Sequence, residues 1–196
     1  MKQLLYTSLL LFVIVSACKS KKENPPVQPE QTNANDTATF YDVKGFFESE
    51  IKEVNTTPYF IYYKKSKDNK KKDSIAIKNK DFNELANQFL DKDITRKEIK
   101  HYYKEDVFRD LSTKSITLSY STKNKDLEIQ SIDVLLDEVT DKVKFIFIRT
   151  NKNEGDSSII KQMSWNKGKN FLISTTTIKS DGTKSTSQEY VSWNDD

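Results

Sequence analysis

The stretch SITLSYST, residues 115–122, decides the fold class. Ile116, Leu118 and Tyr120 recur at every second position, with Thr117, Ser119 and Ser121 between them. A period of two puts the apolar set on one face of a β-strand and the hydroxyls on the other, so the strand is buried on one side and wet on the other. That pattern belongs to an antiparallel sheet with one covered face.

Downstream the pattern continues. In LEIQSIDVLLD (127–137), Leu127 and Ile129 are out of phase with Ile132, Val134 and Leu136, and the slip at Gln130-Ser131 predicts a β-bulge. Further runs at 142–150, 157–166, 170–179 and 184–193 are separated by NKNEGD, NKGK and SDGT. Three of the four glycines, Gly155, Gly168 and Gly182, fall in those turns, where positive φ is needed. Together these runs predict a six-stranded antiparallel β-meander. In VKFIFIRT (143–150), Val143, Phe145 and Phe147 occupy one face and Ile146 and Ile148 the other, which predicts a central strand covered on both sides.

Upstream the period changes. In YDVKGFFESEIKEVN, residues Val43, Phe46, Phe47, Ile51 and Val54 recur at helical spacing, with Asp42 placed to cap and Gly45 weakening the pattern. Pro58 stops this helix. YFIYY (59–63) and DSIAI (73–77), joined by a lysine-rich tip, read as a β-hairpin. Phe82, Leu85, Ala86, Phe89 and Leu90 then define a second helix, with Asp81 as cap and Glu84 three residues on. A shorter helical stretch around 96–104 leads into EDVFRDL, where Val107, Phe108 and Leu111 read as core anchors. The expected fold is therefore α+β: an N-terminal helix, a β-hairpin, one or two helices, then the meander packed against the helices, with the early hairpin extending or flanking it, all in one domain over residues 40–196.

The chain ahead of that domain has a different character. Lys2 is followed by an apolar run of about a dozen residues, too short for a span of about 20 residues and right for a secretory signal over residues 1–17. Val15-Ser16-Ala17-Cys18 resembles the lipobox of bacterial lipoproteins: an aliphatic residue, two small ones, then cysteine. The resemblance implies that the Cys18 thiol is alkylated by diacylglycerol, that the signal is cut before it, and that the new amino terminus is acylated. It also implies a protein anchored to a cell-envelope membrane. Lys19 is not the aspartate that signals inner-membrane retention in that family, so the outer membrane is the expected destination. Cys18 is the only cysteine, which leaves none for a disulfide or a thiolate site.

Residues 18–39 contain Pro25, Pro26 and Pro29, a single aliphatic side chain, Val27, and no aromatic one. Such a segment cannot bury enough apolar surface to offset ordering, so it reads as a tether with a span of roughly 25 Å. The 32 basic and 29 acidic side chains nearly cancel. That balance argues against a dedicated nucleic-acid binder.

Candidate chemistry is sparse. The tripeptide Ser-Trp-Asn occurs at 164–166 and again at 192–194, so Trp165 and Trp193 fall near one end of the sheet with Phe171 between them. Exposed, the row Trp165, Phe171, Trp193 would be a stacking platform for a glycan or another flat apolar ligand; buried, it is a core row. The tip KKSKDNKKK carries Lys64, Lys65, Lys67, Lys70, Lys71 and Lys72, which could touch lipid phosphates or simply solvate a loop. His101 is the sole histidine, with Glu105 or Asp106 in reach as orienter, and Asp133, Asp137, Glu138 and Asp141 cluster at a strand end. No phosphate loop, CxxC pair or EF-hand spacing is present, and no cofactor is implied.

Three function classes follow. A non-catalytic binding or envelope-assembly module, with an envelope protein, glycan or lipid as partner, predicts exposed aromatics or an uncovered strand edge. A carrier of lipid or another apolar ligand requires a cavity between sheet and helices. A hydrolase using acidic residues requires a cleft with converging ionisable groups.

Overall fold

The computed structural model describes residues 40–68, 70–71 and 73–194. The expected signal 1–17, Cys18 and the tether 18–39 lie outside the described residues, as does Lys72.

Helix α1 spans Val43–Thr56. Asp42 caps it, its carboxylate accepting from Gly45 N at 2.9 Å. Gly45, a poor helix former, has a reason to be there: a Cβ at this position would stand 2.3 Å from Asp42 Oδ2, so the glycine makes room for the cap. Helix α2, Asn79–Leu90, begins three residues earlier than its apolar pattern suggests, with Lys78 and not Asp81 at the N-cap. Asp81 sits inside its first turn and accepts from Lys78 N at 3.3 Å. Phe82, Ala86 and Phe89 form its buried stripe.

The strands are β1 Ile61–Lys67, β2 Lys70–Lys71, β3 Ile75–Ile77, β4 Tyr103–Asp110, β5 Ser115–Thr122, β6 Ile129–Asp137, β7 Val143–Glu154, β8 Ser157–Asn166, β9 Asn170–Lys179 and β10 Lys184–Ser192. They form one antiparallel sheet of order β2-β1-β10-β9-β8-β7-β6-β5-β4, with β3 also paired to β1. The described residues are thus mostly β with three helices, and their sheet is larger than the expected six-stranded meander. Two additions account for the difference. The early hairpin joins the same sheet, because β1 pairs antiparallel with β10 from Tyr62–Ser192 to Lys67–Ser187. A seventh meander strand, β4, pairs with β5 from Tyr103–Thr122 to Asp110–Ser115.

That strand β4 corrects the sequence reading of residues 96–111. Only the single turn α3, Lys97–Lys100, is helical there. Val107, Phe108 and Leu111 are 44%, 57% and 75% exposed, so they anchor no core. The residues alternate across an edge strand, and both long helices lie over the other half of the sheet.

The β-bulge at Gln130-Ser131 is present, with the β6–β7 register shifting between Ile129 and Ser131. A second shift between Leu135 and Leu136 leaves Lys144 unopposed. It rotates Val143 onto the helix-covered face with Ile146 and Ile148, away from Phe145 and Phe147. Strand β7 is interior but covered on one side only: Ile146, Ile148 and Thr150 are buried, while Phe145 and Phe147 are half-buried on the opposite face.

Candidate functional site

Six rings fill the space between the helices and the sheet. Phe47 from α1 and Phe82 and Phe89 from α2 meet Trp165, Phe171 and Trp193 from the sheet end. The backbone register sets Trp165 opposite Phe171, and the rings stack at 5.0 Å with an interplanar angle of 23°. Trp165 and Trp193 approach to 5.5 Å. Trp165 and Phe171 are fully buried and Trp193 is 6% exposed, so the three-ring row is part of the core and not an exposed stacking platform.

Glu50 locks this cluster to α1. Its Oε2 accepts from Trp165 Nε1 at 3.2 Å and from Gly168 N at 2.7 Å. Gly168 has φ +67°, the left-handed conformation that aims its N–H at the carboxylate. Burial pushes the Glu50 carboxyl above its ordinary range, opposed by these two hydrogen bonds. The sequence marked neither Glu50 nor its partners as related; a lone glutamate on the apolar stripe of a helix was the only available signal.

The lysine tip is a pair of strands. Lys64, Lys65 and Lys67 belong to β1, and Lys70 and Lys71 to β2. Alternation puts Lys64 on the helix-free face and Lys65 and Lys67 on the other. Lys65 pairs with Glu189 at 3.1 Å, and Tyr63 donates to the same carboxylate at 2.9 Å. Lys64 therefore does not share one patch with Lys65 and Lys67.

The ionisable candidates are engaged separately. His101 is exposed and lies 3.9 Å from the ring of Tyr102. Glu105 is directed to the buried Tyr120 hydroxyl, and Asp106 pairs with Lys104 at 2.7 Å. Asp133 accepts from Ser119 Oγ at 2.6 Å. Asp137 organises its own turn through Val139 N and Thr140 N, and pairs with Lys144 at 2.9 Å. Those contacts hold its carboxyl well below the usual range. Glu138 pairs with Arg109 at 3.5 Å, and Asp141 occupies a positive-φ turn position. Among the described residues, no group of three or more His, Cys, Asp or Glu side chains is placed to hold a metal ion. No described helix is long and apolar enough to cross a membrane.

Open concave surface lies along β1 and β10. A cleft of about 640 Å³ is lined by Pro58, Tyr59, Phe60, Tyr62, Trp193 and Asn194, with Ser74 and Ser192 at its rim. Phe60 is 79% exposed and Tyr62 47%. A second hollow of about 280 Å³ follows it, lined by Lys64, Ser66, Leu172, Gln188 and Tyr190. Tyr62 opposes Ser192, Lys64 opposes Tyr190 and Ser66 opposes Gln188 across the strand pair, so the two hollows succeed one another on the helix-free face. From residue 60 to residue 66 the track runs about 20 Å. The sequence reading treated YFIYY as strand filler; its aromatic density was the available signal, and which ring faces water depends on pairing to a strand more than a hundred residues away.

Comparison with known proteins gives no further guide: no family model, no curated protein and no solved structure matches this chain.

Proposed function

We propose that the protein is a lipid-anchored cell-envelope binding module, held at a membrane through Cys18, that grips an extended glycan strand along the β1–β10 track. The observation that carries this reading is the exposed pair Phe60 and Tyr62 on a cleft that continues into a second, mixed polar and apolar hollow. Sugar rings present an apolar C–H face and a rim of hydroxyls. Aromatic faces serve the first, and hydroxyl and amide groups such as Ser66, Gln188 and Asn194 serve the second. The rings that fill the space between sheet and helices favour this reading over an apolar-ligand carrier, which needs a hollow there. The separate engagement of His101, Glu105, Asp106 and the acidic turn favours it over a hydrolase.

The test is co-sedimentation of the protein with purified peptidoglycan sacculi, before and after enzymatic removal of the stem peptides. Binding that survives peptide removal and falls at least about tenfold in Phe60→Ala/Tyr62→Ala supports the glycan track. Binding unaffected by the double substitution, or lost with the peptides, overturns it.

A further inference from the structure

The sheet has a second unusual margin, at the end opposite the cleft. Strand β4 is the last in the sheet order, and among the described residues it pairs only with β5. Large apolar side chains stay exposed along it and beside it: Tyr102, Val107, Phe108, Leu111 and, in the β6–β7 turn, Val139. A free edge of eight residues is normally made unattractive by its charges. Here the order of the charges does something else. The strand reads Tyr103-Lys104-Glu105-Asp106-Val107-Phe108-Arg109-Asp110.

We infer that β4 is a homodimerisation edge, pairing antiparallel with β4 of a second copy about a two-fold axis through Val107. In that register Lys104 opposes Asp110, Glu105 opposes Arg109, Asp106 opposes Phe108, and Val107 opposes its own counterpart. Symmetry repeats each pair, so four opposite-charge pairs flank the axis: on one face they bracket the Val107 pair, and on the other they bracket two Asp106–Phe108 pairs. Directly opposed side chains lie on the same face of an antiparallel pair, within interaction distance. Glu105, Val107 and Arg109 share the helix-covered face with Ile116, Leu118 and Tyr120, so the covered faces of the two copies also become continuous.

The two neighbouring registers that keep the faces aligned lack this match. Centred on Asp106, the strand sets Asp106 against its own counterpart, a like-charge contact, and forms no opposite-charge pair: Lys104 faces Phe108 and Glu105 faces Val107. Centred on Phe108, it sets Asp106 against Asp110 twice, a like-charge clash. Lys104, Asp106 and Arg109 are exposed, so the intrachain pairs Lys104–Asp106 and Arg109–Glu138 hold Lys104 and Arg109 weakly. Glu105 is directed to the Tyr120 hydroxyl and Asp110 accepts from Ser112 and Thr113 through Oδ1, and a carboxylate can accept a further donor from a second copy. The β1–β10 track lies at the far end of the sheet, so a dimer would carry one track at each outer end. That is the geometry in which two weak grips on one polymer reinforce each other.

Val107 supplies a test, because under the two-fold it meets only itself and is exposed enough to change without touching the core. The full chain in mild detergent is followed by sedimentation velocity over a concentration series. The wild type dimerises; Val107→Lys and Val107→Asp each weaken self-association at least about tenfold, because each sets a like-charge pair on the axis. An equimolar mixture of the two variants regains the dimer, and Val107→Thr remains dimeric. Circular dichroism confirms that each variant is folded. A wild type that stays monomeric throughout, a folded Val107→Lys that dimerises as well as wild type, or a Lys/Asp mixture that fails to reassociate overturns the inference.

Discussion

Trp165 donates its indole N–H to the carboxylate of Glu50 at 3.2 Å, a link between residues 115 positions apart in the chain. The same oxygen accepts from Gly168 N at 2.7 Å. One acceptor thus satisfies two donors and ties helix α1 to the β8–β9 turn, where both tryptophans are packed. Glu50 is 4% exposed, so removing this acceptor strands polar groups in a nearly dry site.

Substitution at Glu50 separates the hydrogen bonds from the charge. Glu50→Leu leaves two donors unpaired and is expected to cost about 2–4 kcal/mol in urea unfolding. Glu50→Gln keeps a carbonyl oxygen for both donors and removes the burial penalty on the charge, so at neutral pH it is expected to be at least as stable as wild type. The pH dependence follows the direction of the shift. The folded state holds the Glu50 proton more tightly than the unfolded chain, whose glutamate titrates near 4.5. The associated stability is fully present below that value and is lost as pH rises through the raised folded value. Unfolding measured from pH 4 to pH 7 should therefore decline more in wild type than in Glu50→Gln.

The aromatic core and the aromatic cleft are expected to respond oppositely to truncation. Phe89 touches Phe47 and Trp165 at ring distances of 5.0 Å and Phe171 at 5.3 Å, and is 1% exposed. Phe89→Ala opens a cavity and is expected to cost about 3–5 kcal/mol. Phe60→Ala, at an exposed ring, is expected to stay within about 0.5 kcal/mol of wild type. Acrylamide should quench Trp165 and Trp193 poorly in wild type and more strongly in Phe89→Ala, which distinguishes a packed row from an accessible one.

Tyr103 braces the bulge. Its hydroxyl donates to the Ile129 carbonyl at 2.7 Å, at the residue where the β6–β7 register slips. Tyr103→Phe removes that bond and is expected to cost about 1 kcal/mol. Burial pushes the hydroxyl up to about 12, so it remains protonated after exposed tyrosines have ionised. Its contribution is fully present below the ordinary tyrosine value of 10.0 and is lost as pH climbs through about 12. Alkaline titration of tyrosinate absorbance should lose a late-ionising component in Tyr103→Phe.

Much of the architecture was legible because backbone geometry writes it locally. Ile116, Leu118 and Tyr120 announce a one-sided strand, Phe82, Ala86 and Phe89 a helix stripe, and Gln130-Ser131 a bulge, each within a window of a few residues. Residues 96–111 were misread because Val107, Phe108 and Leu111 have the composition of a core segment. Their exposure follows from β4 being the last strand, a fact about the whole sheet. Val143 was assigned to the wrong face because an extra residue, Lys144, inverts the alternation, and only the pairing partner reveals it.

The sequence by itself determined the periods of two and of 3.6 residues, the positions of the glycine turns, and the change of character ahead of residue 40. These depend on φ, ψ and side-chain spacing within each segment. Tertiary structure alone decided that Trp165, Phe171 and Trp193 lie inside while Phe60 and Tyr62 lie outside, that β1 closes on β10, and that β4 is left with a free edge. Those outcomes are set by register between strands far apart in the chain and by where α1 and α2 settle. Burial energy there depends on which partner covers a face, and no local pattern records the partner.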